Sequence, residues 1–319
     1  MLMKPAHVLK PRRLRKGDLI GIASPASAPS AAEKIEKGVR YLESLGYRTL
    51  VGDHVLDEHG YLAGTDADRI ADLNGMLRNR HVRAIIATRG GYGTPRILGR
   101  VDYAALRADP KILVGYSDLT ALQLAVYRKT GLITFSGPML AVELWEHPDA
   151  YTEEHFWRTV TRAEPIGPLV NPPGEPSRAQ GKGAARGRLL GGNMALYLSL
   201  LGTPYAPDLT GNILVLEDVD EAPHRVDRMF AQLDHAGILR RISGLVFGRF
   251  TDCVPSDPSK PFLTIEQVLA EVKERVIVPL LENLQYGHIP RKLTLPLGAR
   301  CRLDARSGVL EVLESAVRG

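Results

Sequence analysis

The chain has 319 residues, of which 44% are hydrophobic and 24% charged, and its 41 Lys and Arg against 36 Asp and Glu give a formal charge of +5. This composition excludes a disordered chain, and the length exceeds the size at which one hydrophobic core stops growing, so two domains are expected. The basic excess is small and partly held in the arm-like KPRRLRK near the N-terminus; with only 6% aromatic residues and no basic stretch interleaved with them, no nucleic-acid platform is expected. Cys253 and Cys301 have neither metal-ligand spacing nor the density of a disulfide scaffold, which suits a reduced, cytoplasmic protein. No apolar run reaches the length of a membrane span, and LIGIASPASAPS is broken by Pro25 and Pro29, so a soluble protein without a signal peptide is expected.

Strand and helix patterns alternate through the first half. DLIGIAS, Asp18 to Ser24, reads as a buried strand, and the helix after it has Ser30 and Glu33 in capping-box spacing, Ile35, Val39, Leu42 and Leu45 on one face, and Gly46 as its stop. Tyr47 to Val51 is extended, and Thr65 caps a second helix marked by Ile70, Leu73 and Leu77. RAIIATR is a strand closed by the glycine-rich GGYGT; KILVG is the next strand, followed by a helix carrying Leu119, Leu122, Leu124 and Val126 and ended by Gly131. Such alternation predicts a parallel sheet covered by helices on both faces.

From Glu164 to Gly187 the chain turns rich in Pro, Gly and polar residues, which predicts a linker between an N-terminal α/β domain over 1–163 and a smaller mixed α/β domain over 188–319. Its GKG lacks the following Ser or Thr and the preceding strand of a nucleotide loop. Beyond it come the helix-like NMALYLSLLG, the strand ILVLED, a helical segment from Val226 to Ala236, the strand GLVFGRF and short extended runs around LTLPLG.

Chemistry concentrates at four places. Ser117, in KILVGYSDLTAL, stands where a buried strand meets a helix, and ligands of parallel sheets bind at such carboxyl ends. Ser117 and Asp118 could equally be plain helix caps. RGGYGT presents Gly90, Gly91 and Gly93, whose bare backbone lets N–H groups approach a substrate oxygen, as an oxyanion hole requires, or simply makes a tight turn. Glu217 ends ILVLED and could orient an imidazole, pair with an arginine, or join Asp218, Asp220 and Glu221 around a metal, although no histidine stands at ligand spacing. His288 follows a glycine in a loop, as site residues often do, and as structural histidines do too.

RGGYGTPRIL, PKILVGYSDLTAL, RLLGGNMALYLSLLGTPY, LVLEDVDEAPHRVDRM and YGHIPRKLTLPLG, in this order, resemble the LD-carboxypeptidases, serine peptidases that include the muramoyl-tetrapeptide carboxypeptidases and the microcin-immunity peptidases. The resemblance runs from about residue 16 to residue 315. It implies a flavodoxin-like, glutamine-amidotransferase-like N-terminal domain, a smaller β-rich C-terminal domain, and an active site in the cleft between them. It further implies a triad of Ser117, Glu217 and His288, oxyanion donors at the backbone N–H groups of Gly91 and Asp118, no metal or other cofactor, and a homodimer. The implied reaction removes a terminal D-amino acid across an L,D peptide bond, as from murein tetrapeptide during cell-wall recycling in the cytoplasm. A small anionic peptide needs a cation, and Arg89 or Arg96 beside the glycine turn could bind a carboxylate or make structural salt bridges, with Tyr92 between them.

Two departures from the family pattern stand out: Ser136 in FSGPM replaces an expected histidine, and His224 in EAPHRVDR replaces a common tyrosine and offers a rival imidazole near Glu217. Three other activities fit parts of the pattern. Hydrolysis of aminoacyl nucleotides, as in microcin immunity, needs an aromatic to stack on a base, and Trp145 and Trp157 both precede the linker, away from Glu217 in sequence. An α/β-hydrolase shares the Ser, acid, His order but wants a small residue where Leu119 stands. A non-catalytic small-molecule-binding protein on a doubly wound sheet needs none of the triad.

Overall fold

A computed structural model of the chain describes residues 7–146 and 148–319. The first half runs β1 (Leu19–Ala23), α1 (Ala32–Ser44), β2 (Arg48–Val51), α2 (Asp66–Arg78), β3 (Val82–Ala87), α3 (Thr94–Ile97), α4 (Tyr103–Ala108), β4 (Ile112–Gly115), α5 (Leu119–Thr130), β5 (Thr134–Ser136) and α6 (Ala150–Thr161). The second runs β6 (Gly167–Leu169), β7 (Arg178–Gln180), β8 (Ala184–Asn193), α7 (Met194–Ser199), β9 (Ile213–Val219), α8 (Pro223–His235), α9 (Ile238–Arg241), β10 (Gly244–Thr251), α10 (Ile265–Arg275), β11 (Leu280–Glu282), β12 (Leu295–Leu297), β13 (Arg300–Asp304) and β14 (Val309–Val312).

The strands form two sheets, ordered β12-β5-β4-β3-β1-β2 and β6-β14-β13-β8-β9-β10-β11-β7. In the first, β2, β1, β3, β4 and β5 are parallel. In the second, β8, β9, β10 and β11 form a parallel centre with antiparallel strands outside it. Both faces of each parallel centre are covered. Successive strand residues alternate between two apolar clusters, Ile85 and Leu113 in one, Ala84, Ile86, Ile112 and Val114 in the other. Leu214 and Leu216 alternate with Ile213 and Val215 in the same two clusters, so each core runs continuously through both halves of the molecule.

Helix α5 joins those halves. It packs on β4 and β5 on one side and on α7 and β8 on the other, and every residue except Arg128 and Lys129 is buried. A helix apolar on nearly all sides is stable only when enclosed in this way. It stops at Gly131, left-handed at φ 75°, whose N–H returns to Tyr127 O at 2.8 Å.

The structure changes three sequence expectations. Helix α1 begins from Ala31 with no side-chain cap, so Ser30 does not close a capping box, whereas Thr65 does so with Asp68. Residues 164–187, expected as linker, contain β6 and β7, which take the two outer edges of the second sheet, and the start of β8. Within 188–319, expected as one domain, β12 leaves the second sheet and pairs antiparallel with β5, Leu295 opposite Ser136. Three-residue edge strands carry almost no local pattern; their partners' hydrogen bonds define them.

Candidate active site

Strand β4 ends at Gly115 and α5 begins at Leu119, leaving three residues for a sharp turn. Ser117 occupies it at φ 64°, a left-handed conformation that costs a non-glycine residue roughly 1–2 kcal/mol. The turn is tight: a Cβ on Gly115 would lie 2.7 Å from Leu119 Cγ, and one on Gly90 would lie 2.8 Å from Ser117 Cβ and 3.0 Å from its Oγ. Gly90 is therefore needed for the RGGYGT loop to approach the serine. Asp118 does not cap α5; its buried carboxylate accepts Thr94 N–H at 2.8 Å, while Thr94 Oγ1 donates to Asp118 O at 2.6 Å. Two bonds thus tie the glycine loop to the serine turn. Burial pushes the Asp118 carboxyl above its ordinary value, against the opposing hydrogen bonds from Thr94.

Glu217 lies near the carboxyl end of β9 and is fully buried. A buried carboxylate needs partners. His288 Nδ1 stands 2.7 Å from its Oε2, while Oε1 has no hydrogen-bond partner among the described residues. The imidazole approaches this closely because Gly287, at φ 122°, turns the chain where any side chain would meet Glu217 Oε2 at 2.9 Å. The His288 ring also meets Tyr116, the residue before Ser117, nearly edge-on with centroids 5.0 Å apart. Next to Glu217, Asp218 accepts from Asn193 Nδ2 at 2.8 Å, Val219 N at 2.9 Å and Ala195 N at 3.0 Å, which fixes the start of α7. Burial, with the Glu217 charge beside it, raises the Asp218 carboxyl to about 6.

Ser117 and His288 both line a cavity of about 1010 Å³ between the two halves, with Arg89, Gly91, Tyr92, Asn193 and the end of β9 on its walls. The amide N–H groups of Gly91 and Asp118 make no hydrogen bond among the described residues. Arg89 and Tyr92 face the cavity, Tyr92 67% exposed and edge-on to Tyr61. Arg96 is not among the residues lining it; its guanidinium pairs with Asp66 at 2.9 Å, the salt-bridge alternative of the sequence reading. His224 is exposed in the first turn of α8 and also away from the cavity, so the rival imidazole is not brought to it. Ser136 is buried on β5, its Oγ 2.7 Å from Tyr286 OH. Among the described residues, the side chains that converge with metal-ligand spacing are His54, Asp57 and Asp68, outside the cavity, with His54 bonded to Asp57 and Asp68 to Thr65.

Sequence reasoning missed four wall residues. Trp145, set aside for its distance in sequence from Glu217, lines the cavity together with Asp220 and Glu221; Trp157 instead stacks on Tyr47 at 5.1 Å. Asn193, Glu143 and Lys292 also line it. Asn193 and Lys292 lie inside motifs that carry the family resemblance, a signal that could have found them, whereas Glu143 lies in none.

Family models described as the LD-carboxypeptidase N-terminal domain and the LD-carboxypeptidase C-terminal domain match residues 20–137 and 186–303. The chain belongs to the LD-carboxypeptidase family. It is a serine carboxypeptidase, a hydrolase, which sets aside the α/β-hydrolase and the non-catalytic binding protein. The probable murein peptide carboxypeptidase of Bacillus subtilis is 38% identical over 97% of each chain. The structure of the microcin C7 self-immunity protein MccF, a protein of Escherichia coli, in complex with glutamyl sulfamoyl guanosine superposes with a TM-score of 0.86 at 29% identity, covering 97% of this chain and 99% of that one. The muramoyltetrapeptide carboxypeptidase of Oxalobacter formigenes superposes with a TM-score of 0.80 at 30% identity over 94% of this chain and 100% of its own. The mixed α/β architecture with two sheets is the family's. Between the two matched regions lies the stretch that carries Glu143, Trp145, α6, β6 and β7.

Proposed function

We propose that this carboxypeptidase hydrolyses the L,D peptide bond to a terminal D-amino acid, converting murein tetrapeptide to tripeptide and D-alanine. One observation carries the reading: the 2.7 Å pairing of His288 with Glu217, beside a cavity that also holds Ser117 in its left-handed turn. With Nδ1–H committed to Glu217, Nε2 of the imidazole is the free base. It takes the Ser117 hydroxyl proton as Oγ bonds to the scissile carbonyl carbon, and the carbonyl oxygen becomes an oxyanion held by the N–H groups of Gly91 and Asp118. The C–N bond then breaks, the proton on Nε2 passes to the leaving amine, and D-alanine departs from an acyl-serine. Water, deprotonated by the same nitrogen, cleaves that ester, and the returning proton restores Ser117. Glu217 stabilises the imidazolium in both halves.

Arg89 supports removal of a terminal residue, because it lines the cavity next to the glycine loop and makes no ion pair among the described residues. A guanidinium there would hold the substrate's terminal carboxylate through two parallel hydrogen bonds. The proposed reaction serves murein peptide recycling, and with it we propose a cytoplasmic location and a homodimer. Among the described residues no helix is long and apolar enough to cross a membrane.

One observation favours a second substrate. Trp145 on the cavity wall, with Lys34 Nζ 4.7 Å above its ring, offers a stacking surface and a cation to an aminoacyl nucleotide, the class of compound bound in the MccF complex. Incubation with murein tetrapeptide, followed by mass spectrometry for the loss of one alanine, separates the two. Alanine release by the wild type and none by Ser117→Ala is expected; turnover of an aminoacyl sulfamoyl nucleotide with intact tetrapeptide would replace the first reading by the second.

A further inference from the structure

Two charged side chains on the cavity wall have no part in the steps above. Lys292 is 2% exposed, and its Nζ lies 2.5 Å from Glu143 Oε1 and 3.9 Å from the centroid of the Tyr116 ring, over its face. Glu143 Oε1 also accepts the Tyr116 hydroxyl at 2.8 Å, and Oε2 accepts Met139 N–H at 2.9 Å. Burying an ammonium and a carboxylate costs several kcal/mol per ion before their attraction is counted, and apolar replacements of such pairs are often as stable, so stability alone is a weak reason for this one.

What the pair does is join two loops that must meet. Tyr116 immediately precedes Ser117, and its phenol contacts both the Lys292 ammonium and the His288 ring. Lys292 follows His288 by four residues. The same segment is fastened to the serine side twice more: Thr152 Oγ1 accepts Lys292 N–H at 2.9 Å and donates to Pro290 O at 3.2 Å, and β12 pairs with β5. The histidine therefore rides on a strap that leaves the second sheet and docks on the nucleophile's half of the molecule.

We infer that the Glu143–Lys292 pair is a positioning clamp: it locks the His288 loop to Tyr116 and so sets the distance from the imidazole to Ser117 Oγ. This rests on the triad reading above. Neither residue touches the reacting atoms; each acts through Tyr116 and the loop. Misplacement of a reacting group by about 1 Å costs on the order of a hundredfold in rate, which bounds what the clamp contributes.

The test uses Lys292→Met, Lys292→Arg, Glu143→Gln and the double variant Glu143→Gln/Lys292→Met. A fluorophosphonate, which phosphonylates Ser117 with loss of fluoride, measures serine activation without any peptide substrate. Kinetics of D-alanine release supply kcat and KM, and thermal unfolding checks the fold. Lys292→Met and Glu143→Gln are expected to slow labelling and lower kcat by about 10- to 100-fold with KM within about twofold. The double variant should be no slower than the worse single one, and Lys292→Arg should recover most of the rate, as for two groups acting as a unit. Unchanged labelling in folded single variants, losses that multiply in the double variant, or a raised KM at constant kcat would overturn the clamp. Labelling of the wild type without D-alanine release would remove only the murein substrate, leaving the labelling rates to decide; failure of the wild type to label at Ser117 would remove the triad and the clamp together.

Discussion

Replacing Glu217 by Gln is the most direct probe of the proposed mechanism. The carboxamide has nearly the volume of the carboxylate it replaces and fits the space bounded by Gly248 and Gly287, so the substitution removes charge with little change of shape. A Nδ1–Oε2 separation of 2.7 Å puts the two delocalised charges roughly 4 Å apart in the imidazolium state, where an effective dielectric constant near 20 gives about 4 kcal/mol. At 1.36 kcal/mol per tenfold, kcat should fall by about 10³. If the amide turns its NH2 toward His288, the ring must adopt the other tautomer, and the loss approaches the ~10⁴ known for the equivalent change in serine-protease triads. Steady-state D-alanine release gives kcat and KM, with circular dichroism to establish that the variant is folded. A folded Glu217→Gln enzyme with kcat within tenfold of wild type, or with its loss confined to KM, would refute the assignment of Glu217 to the imidazolium.

Three further outcomes are expected. Gly90→Ala places a methyl 2.8 Å from Ser117 Cβ, forcing the serine turn or the glycine loop to shift, and should lower kcat by about 10² in the same assay. Arg89→Met should raise KM for tetrapeptide by about 10- to 100-fold and weaken the preference for a free terminal carboxylate over its amide, read by comparing the two substrates; equal KM values would exclude the carboxylate contact. Asp218 is raised from 3.8 to about 6 in the folded protein by burial and by Glu217, so the folded state binds more protons than the unfolded state between those values and this group's contribution to stability falls as pH rises through that window. Relative to Asp218→Asn, the wild type should lose about 2 kcal/mol of unfolding free energy between about pH 4 and pH 6, out of about 3 kcal/mol over the full titration, measured by urea titration; parallel curves would show that Asp218 is not held above its ordinary value.

Much of the fold was legible because its signals are local. Alternating apolar runs and helical spacing located β1, β3, β4, β9 and β10, Thr65 was recognisable as a cap, and Gly131 as a stop. Ser30 misled because a capping box needs the chain to enter the helix at the right residue, and this chain enters at Ala31. The strands inside 164–187 were invisible because three-residue edge strands among prolines and glycines exist only through the neighbours they pair with. Trp145 was misjudged for a related reason: its separation from the end of β9 along the chain says nothing about a cavity both of them line.

By itself the sequence determined the strand and helix content, the glycine loop, and, through ordered motifs, which serine, glutamate and histidine to compare. The motif around His288 also favoured that residue, 71 positions from Glu217, over His224, which is only seven positions beyond it. Only the tertiary structure shows the two side chains 2.7 Å apart, because a hydrogen bond depends on separation in space and direction, and these are set by sheet order, by a glycine that makes room beside a buried carboxylate, and by a strap that crosses from one sheet to the other. The same folding assembled the Lys292, Glu143 and Tyr116 cluster, whose members lie in three different loops and share no local pattern.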